Sequence, residues 1–163
     1  MNYRYQTLET PAGRLYLIGT DDYLEAAVFR KQWPAVRKRF APLKRSGTPA
    51  LKAAQRQLAE YFSGRRRSFE LPIRQKGTPF QEKVWTALAA IPFGEKKTYK
   101  EQAAAIGAPN AVRAVGRTNG LNLLCIVRPC HRVVGSSGAL TGYAGGLNAK
   151  KILLHFEQNQ SSK

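Results

Sequence analysis

Acidic residues are scarce in this chain, and cysteine, histidine and methionine are scarcer still. Ten Asp and Glu stand against 27 Lys and Arg over 163 residues, a net charge of +17. That excess sets up a positive field that attracts polyanions. Nucleic acid comes first among them, because phosphate neutralisation supplies most non-specific affinity. An anionic membrane surface or a plain solvated face is the alternative, but no amphipathic basic helix stands out as an anchor. No apolar run approaches the roughly 20 residues that a bilayer crossing needs. Met1-Asn2-Tyr3-Arg4-Tyr5 lacks a signal-peptide core, which points to a place inside the cell. Two cysteines cannot build a disulfide framework. Cys125 and Cys130 read as thiols in a reducing compartment. Repeats and low-complexity tracts are absent too. What is present is 43% hydrophobic residues, enough for a folded protein with a real core.

The first 75 residues read as strands and then helices. Tyr3, Tyr5 and Thr7 alternate, Pro11-Ala12-Gly13 signals a turn, and Leu15–Ile18 and Leu24–Phe29 follow as strands, an antiparallel meander. Helical pattern starts at Pro34 and again at Pro49. In the second helix Leu51, Leu58, Tyr61 and Phe62 share a face, and Gly64 ends it. Phe69–Ile73 reads as one more strand, before a short linker, Arg74–Gly77. From Arg30 to Arg67 there are twelve basic residues and a single acid, Glu60. A DNA-facing surface and a solvated helical face explain that run equally well.

From Thr78 the pattern turns helical. Thr78 is an N-cap with Pro79 behind it, and Phe80, Val84, Leu88 and Ile91 recur at helical spacing. Thr98-Tyr99-Lys100-Glu101 is a capping box that opens a short helix, closed by Gly107. Asn110 is placed to cap a second helix, Ala111 to Thr118, which Asn119-Gly120 would end. Two short helices around a tight turn form a helix-turn-helix signal. The second helix carries Arg113 and Arg117 and no acid. Its Ala111, Ala114, Val115 and Gly116 are small, which suits close approach to a minor groove or, equally, close packing in a core. A last helix is expected from about Ala149 to Glu157 with Asn148 as cap, and then a frayed tail.

The chemistry concentrates at Pro129-Cys130-His131-Arg132. A thiol, a base and fixed positive charge side by side favour thiolate, the reactive form of cysteine. After Glu101 the chain holds one acid only, Glu157. If it meets His131, nucleophile, base and orienting group are complete. Rival readings are weaker. The spacings of Cys125, Cys130, His131 and His155 fit no zinc pattern, and adjacent ligands strain to reach one ion. A cysteine protease keeps its histidine far away in sequence. An inert buried cysteine sits poorly among a proline and two arginines.

Ile126-Val127-Arg128-Pro129-Cys130-His131-Arg132-Val133-Val134 closely resembles the active-site signature of the O6-alkylguanine-DNA alkyltransferases. Gly77-Thr78-Pro79-Phe80-Gln81, Val84-Trp85, Ile91-Pro92-Phe93-Gly94, Thr98-Tyr99, Arg113-Ala114-Val115-Gly116, Ser137-Gly138 and Gly142-Tyr143-Ala144-Gly145-Gly146 follow that family's order and spacing. So do Leu153-Leu154 with Glu157. The likeness is dense over residues 77 to 157, and looser before that, through Thr10-Pro11-Ala12-Gly13-Arg14-Leu15.

The resemblance implies two domains. Residues 1–75 would form a small α/β (α+β), ribonuclease-H-like unit on an antiparallel sheet. Residues 76–163 would form a mainly helical unit with a winged helix-turn-helix. It implies irreversible, single-use transfer of an alkyl group from guanine O6 in duplex DNA to Cys130, with alkylated thymine O4 as a second donor that the resemblance allows. No cofactor and no metal are implied. In that scheme His131 takes the thiol proton through a water, Glu157 steadies His131, Tyr99 protonates the departing base, and Asn122 braces the active-site turn. Groups at Val133, Tyr143, Ala144 and Gly145 line the guanine pocket. Helix Ala111–Thr118, with Ala114, Gly116 and Arg117, lies in the minor groove, and Arg113 fills the space of the flipped nucleotide.

The implied molecule is a monomer, with room for cooperative loading on DNA, and no membrane partner. It belongs in the cytoplasm, on the nucleoid in a bacterium, or in the nucleus of a eukaryote. The chain departs from the family pattern at Arg128, Leu123 and Ala144, where an aliphatic residue, proline and serine are usual. No Cys or His precedes residue 125, so the zinc site of some members has no counterpart. The alternative from another class is a helix-turn-helix DNA-binding or alkylation-sensing protein whose cysteine no longer reacts.

Overall fold

The computed structural model describes residues 1–163. Three strands, β1 (Tyr3–Leu8), β2 (Leu15–Gly19) and β3 (Leu24–Phe29), form the expected meander. β4 (Leu43–Arg45) then joins β1 in parallel, giving the order β3-β2-β1-β4. The sheet is therefore mixed, not antiparallel throughout. The parallel pairing is possible because α1 (Trp33–Arg39) carries the chain across the sheet.

Side chains alternate between the two faces. Leu15, Leu17, Ala27 and Phe29 pack with Leu51, Leu58 and Tyr61 of α2 (Pro49–Phe62), while Ile18, Ala26 and Val28 pack with Val36 and Phe40. Trp33 stacks on Tyr16 with ring centroids 4.3 Å apart. Each fully buried leucine removes enough apolar surface to contribute about 1.5–3 kcal/mol.

β3 lies at the sheet edge, yet all six of its residues are buried. Its free edge is covered from two distant parts of the chain. Leu24 N–H donates to Pro72 O and Arg74 N–H to Leu24 O, while Ala27 N–H donates to Leu123 O and Cys125 N–H to Ala27 O. An open edge would invite pairing with another chain, and here it is closed internally. Phe69–Ile73 is not the further strand expected. Only Ile73 bridges to β3. Pro72 has no N–H for a ladder, and the Glu70 backbone pairs with the Gln57 side chain instead.

The C-terminal part is helical. α3 (Pro79–Ala89) and α4 (Tyr99–Ala105) open with complete capping boxes, Thr78 with Gln81 and Thr98 with Glu101. α5 (Val112–Gly120) completes the helix-turn-helix. Asn110 does not cap it; Ala111 is the N-cap, without a side-chain bond. Nor does the helix stop at Asn119, whose buried amide pairs reciprocally with Gln102 of α4 at 3.1 and 2.7 Å.

Beside this motif β5 (Lys97–Thr98) and β6 (Val133–Val134) form a two-stranded parallel ladder. α6 runs from Leu147 to Ser161, with Gly146 as N-cap at φ 99, so Asn148 lies inside the helix. The tail stays helical to Ser161, and Arg67 donates to Gln160 O in its last turn at 3.0 Å. No helix is long and apolar enough to cross a membrane.

Candidate active site

Cys130 opens one turn of 3-10 helix, Cys130–Arg132, and two tight turns deliver it. Val127 N–H donates to Cys125 O around Ile126, and Cys130 N–H donates to Arg128 O around Pro129, each at 2.8 Å. At φ −79, ψ 68, Pro129 occupies the inverse γ-turn minimum that its ring favours. Ile126 sits at φ 71, which a β-branched residue avoids. Its side chain is buried in the core, and the bonds to Ala27 on one side and from Arg128 N–H to Leu124 O on the other pin the backbone. Strain of about 1–3 kcal/mol persists only where surroundings over-determine it in this way.

The Cys130 sulfur accepts a hydrogen bond from Asn122 Nδ2 at 3.2 Å. The Cys125 thiol has two acceptors in reach, Gln32 Oε1 at 3.5 Å and the Cys130 sulfur. That neighbouring thiol is the largest influence holding Cys130 below the ordinary cysteine range. Burial opposes it, and the Asn122 amide, the Tyr143 hydroxyl and the Lys150 ammonium add to the lowering. Cys125 moves the opposite way, up, first through the same pairing and then through burial. Of the two thiols, Cys130 is the one poised as thiolate.

Behind the cysteine lies a buried cluster of polar side chains. His131 Nε2 is 2.7 Å from Glu157 Oε2, and both residues are buried. Arg132 grips the same carboxylate with Nε at 2.8 Å and Nη2 at 3.0 Å. Tyr61 Oη donates to Oε2 at 2.6 Å, and Gly94 N–H to Oε1 at 3.2 Å. Burial disfavours the charge on Glu157, but the hydrogen bonds from His131 and Arg132 and the fixed charge of Arg132 outweigh it and hold the carboxyl far below its usual range. Burial holds the His131 imidazole below its ordinary value. A carboxylate only accepts, so Nε2 carries the ring proton and Nδ1 is the basic atom. Nδ1 is buried and has no protein partner, and no direct bond joins it to the sulfur.

In front of the cysteine is a cavity of about 390 Å³. Cys130 and Tyr99 line it, with Gly116 and Asn119 of α5 on one side and Tyr143 and Ala144 on the other. Val133 and Gly145, expected in the pocket, are not in its lining. Val133 is buried beside Cys130 in the C-terminal core. Gly145 is wedged against the ring of Phe29, where a Cβ would come within 2.6 Å of Cδ2, and so holds the loop close. Arg113 and Arg117 are exposed on α5, and Ala111 and Ala114 are half-buried. The structure thus brings Cys130, His131 and Glu157 together and sets Tyr99, Tyr143, Ala144 and Gly116 around one cavity, with the arginines outside it.

Two further residues of the site carry no local signal in the sequence. Tyr61 arrives from α2. Lys150 is fully buried, donates to Gly142 O at 3.0 Å, and adds positive charge near Cys130. A lysine one turn before an apolar helix face reads as a surface residue until the loop over it is known.

A helix-turn-helix whose second helix walls a cavity, with an activated cysteine inside, defines a protein that brings a sulfur nucleophile to whatever the motif holds. Residues 3–75 match the family profile of the 6-O-methylguanine DNA methyltransferase ribonuclease-like domain, and residues 79–159 that of the same family's DNA-binding domain. The constitutive methylated-DNA–protein-cysteine methyltransferase of Bacillus subtilis is 47% identical over 160 residues, covering 97% of this chain and 96% of the relative. That of Methanosarcina barkeri is 43% identical, covering 95% of this chain and 97% of the relative. The crystal structure of Mycobacterium tuberculosis OGT in complex with DNA superposes with a TM-score of 0.87 at 41% identity, covering 98% of this chain and 94% of that one. The chain belongs to the 6-O-methylguanine DNA methyltransferase family. The activity that goes with membership is transfer of a methyl group from DNA to a cysteine of the protein itself, a repair by direct reversal.

Proposed function

We propose that Cys130 is the acceptor and that the reaction runs once per molecule. The Cys130 thiol gives its proton, through a water, to His131 Nδ1. The sulfur then attacks the saturated carbon on guanine O6; a carbon–sulfur bond forms as the carbon–oxygen bond breaks, and the electron pair stays on the base. Tyr99 at the cavity wall donates a proton to that base as its charge develops. Glu157 holds the imidazole and balances its charged form, as the acid does in other nucleophile–base–acid trios. Asn122 fixes the turn and donates to the sulfur. The product is a thioether that no group here can hydrolyse.

A guanine inside a stacked duplex cannot reach a cavity of this kind, so the nucleotide must be flipped out. In our reading α5 enters the minor groove with Ala111, Ala114 and Gly116 facing the backbone, Arg117 contacts phosphate, and Arg113 fills the vacated place. Tyr143 and Ala144 hold the flipped base, and Val133 and Gly145 support that wall. Residues 1–75 and 76–163 act as two domains of a monomer on cytoplasmic DNA.

The observation that carries this reading is Cys130 in the lining of a cavity shared with α5, backed by the His131–Glu157 pair. The test is intact mass after incubation with duplex DNA containing O6-methylguanine. A gain of one methyl group, mapped to Cys130 and abolished in Cys130→Ala, is expected. Unchanged mass with tight DNA binding would overturn it in favour of a non-reacting binding protein.

A further inference from the structure

Arg128 stands directly before the Pro129-Cys130 pair, and Gln75 follows the segment that pairs with β3. The two meet because the free edge of β3 captures both stretches of chain, Pro72–Arg74 and Leu123–Cys125. Arg128 Nη1 donates to Gln75 Oε1 at 2.8 Å, and Gln75 Nε2 donates to Asn122 Oδ1 at 3.1 Å. Asn122 Nδ2 donates in turn to Arg128 O at 2.9 Å and to Cys130 Sγ at 3.2 Å. The ring closes from the arginine side chain back to its own carbonyl.

The direction of every bond in this ring follows from donor chemistry. A guanidinium only donates, so it must face the oxygen of the Gln75 amide. That turns the Gln75 nitrogen toward Asn122, which must answer with its oxygen. The Asn122 nitrogen is then left for the sulfur. Leu124 N–H also donates to Asn122 Oδ1, at 3.1 Å, and supports the same orientation. The reverse orientation would press a carbonyl oxygen against a thiolate.

We propose that Gln75 and Arg128 are positioning residues for the reaction. They lock the Asn122 amide so that it donates to the Cys130 thiolate. A hydrogen bond given to the charged form of a group favours that form. Neither residue touches the cavity in front of Cys130, so both act through Asn122. The proposal rests on Cys130 being the alkyl acceptor.

Two substitutions at one position separate positioning from packing. Gln75→Leu removes the ring's link. Gln75→Glu keeps shape and gains an ion pair with Arg128, but offers Asn122 only acceptors and so pulls its nitrogen away from the sulfur. The measurement is the single-turnover rate of benzyl transfer from free O6-benzylguanine against pH, read by intact mass, alongside thermal unfolding. The free base removes DNA binding from the comparison.

We expect Gln75→Leu and Arg128→Met to move the rate profile to higher pH, with about a three- to tenfold slower rate at neutral pH. Gln75→Glu should be shifted at least as far, with an unfolding temperature no lower than that of the wild type. Wild-type profiles in both Gln75 variants would overturn the proposal, as would losses in rate that only follow losses in stability. No transfer by the wild type would instead sink the alkyl-acceptor reading. The pH dependence of Cys130 carbamidomethylation by iodoacetamide then still decides whether Gln75 sets the thiol.

Discussion

Tyr61 Oη lies 2.6 Å from Glu157 Oε2, a contact between residues 96 positions apart that joins α2 to the acid behind Cys130. Burial, and then the negative charge of Glu157, raise the phenol's pKa, so it is a donor at neutral pH. Tyr61→Phe removes one donor from a buried carboxylate and leaves the ring in place. It should lower stability by about 1–3 kcal/mol. Denaturant unfolding measures this, and an unchanged midpoint would mean that the carboxylate does not depend on the phenol.

Acid should lower the stability of the protein over two pH ranges. The His131 imidazole is held below its ordinary value, so below about pH 6.5 the unfolded chain takes up a proton that the folded one does not. Glu157 is held below its unfolded value too; its contribution is present above about pH 4.3 and is lost as pH falls toward the folded value. Both effects have the same sign. Stability should decline from near neutrality and steepen in the carboxylate range. A flat curve between neutrality and pH 5 would contradict a neutral buried His131. Glu157→Gln strands the Arg132 guanidinium and should cost about 3–5 kcal/mol at neutral pH.

Lys150 is held beside Cys130 with its amine on Gly142 O. Lys150→Met keeps the bulk and removes the charge. The Cys130 thiol should move up toward its ordinary range, and alkylation at neutral pH should slow by about a few-fold. The pH dependence of single-turnover transfer measures it. An unshifted profile would show that the ammonium does not reach the sulfur electrostatically.

Arg113 is exposed at the start of α5, outside the cavity. Arg113→Ala should slow repair of methylated duplex DNA by about tenfold or more, the scale set by a few kcal/mol of unstacking. Reaction with free O6-benzylguanine should stay near wild type. Equal losses on both substrates would argue against a role in extrusion.

The local signals of the sequence carried much of this structure. The Thr78 and Thr98 caps, the helix-turn-helix and the meander are set by neighbours within a few residues, and they formed as expected. The meeting of His131 with Glu157 was legible because so few residues could make it. What escaped is what the tertiary fold decides. β4 pairs in parallel through a helix, Phe69–Ile73 exchanges bonds with a side chain, and α6 runs on to Ser161. Tyr61, Lys150 and Gln75 reach the site from elements whose local pattern says only helix face or linker. Asn110 was misplaced as a cap because a cap needs the backbone direction as well as the residue type.

The covered edge of β3 has a consequence for when the protein becomes reactive. The stretch leading to Cys130 takes its course from a strand near the other end of the chain. A nascent or misfolded polypeptide therefore carries an ordinary sulfhydryl, less reactive toward stray electrophiles than the folded one. For a molecule spent by a single event, tying potency to finished assembly keeps that one event from being squandered.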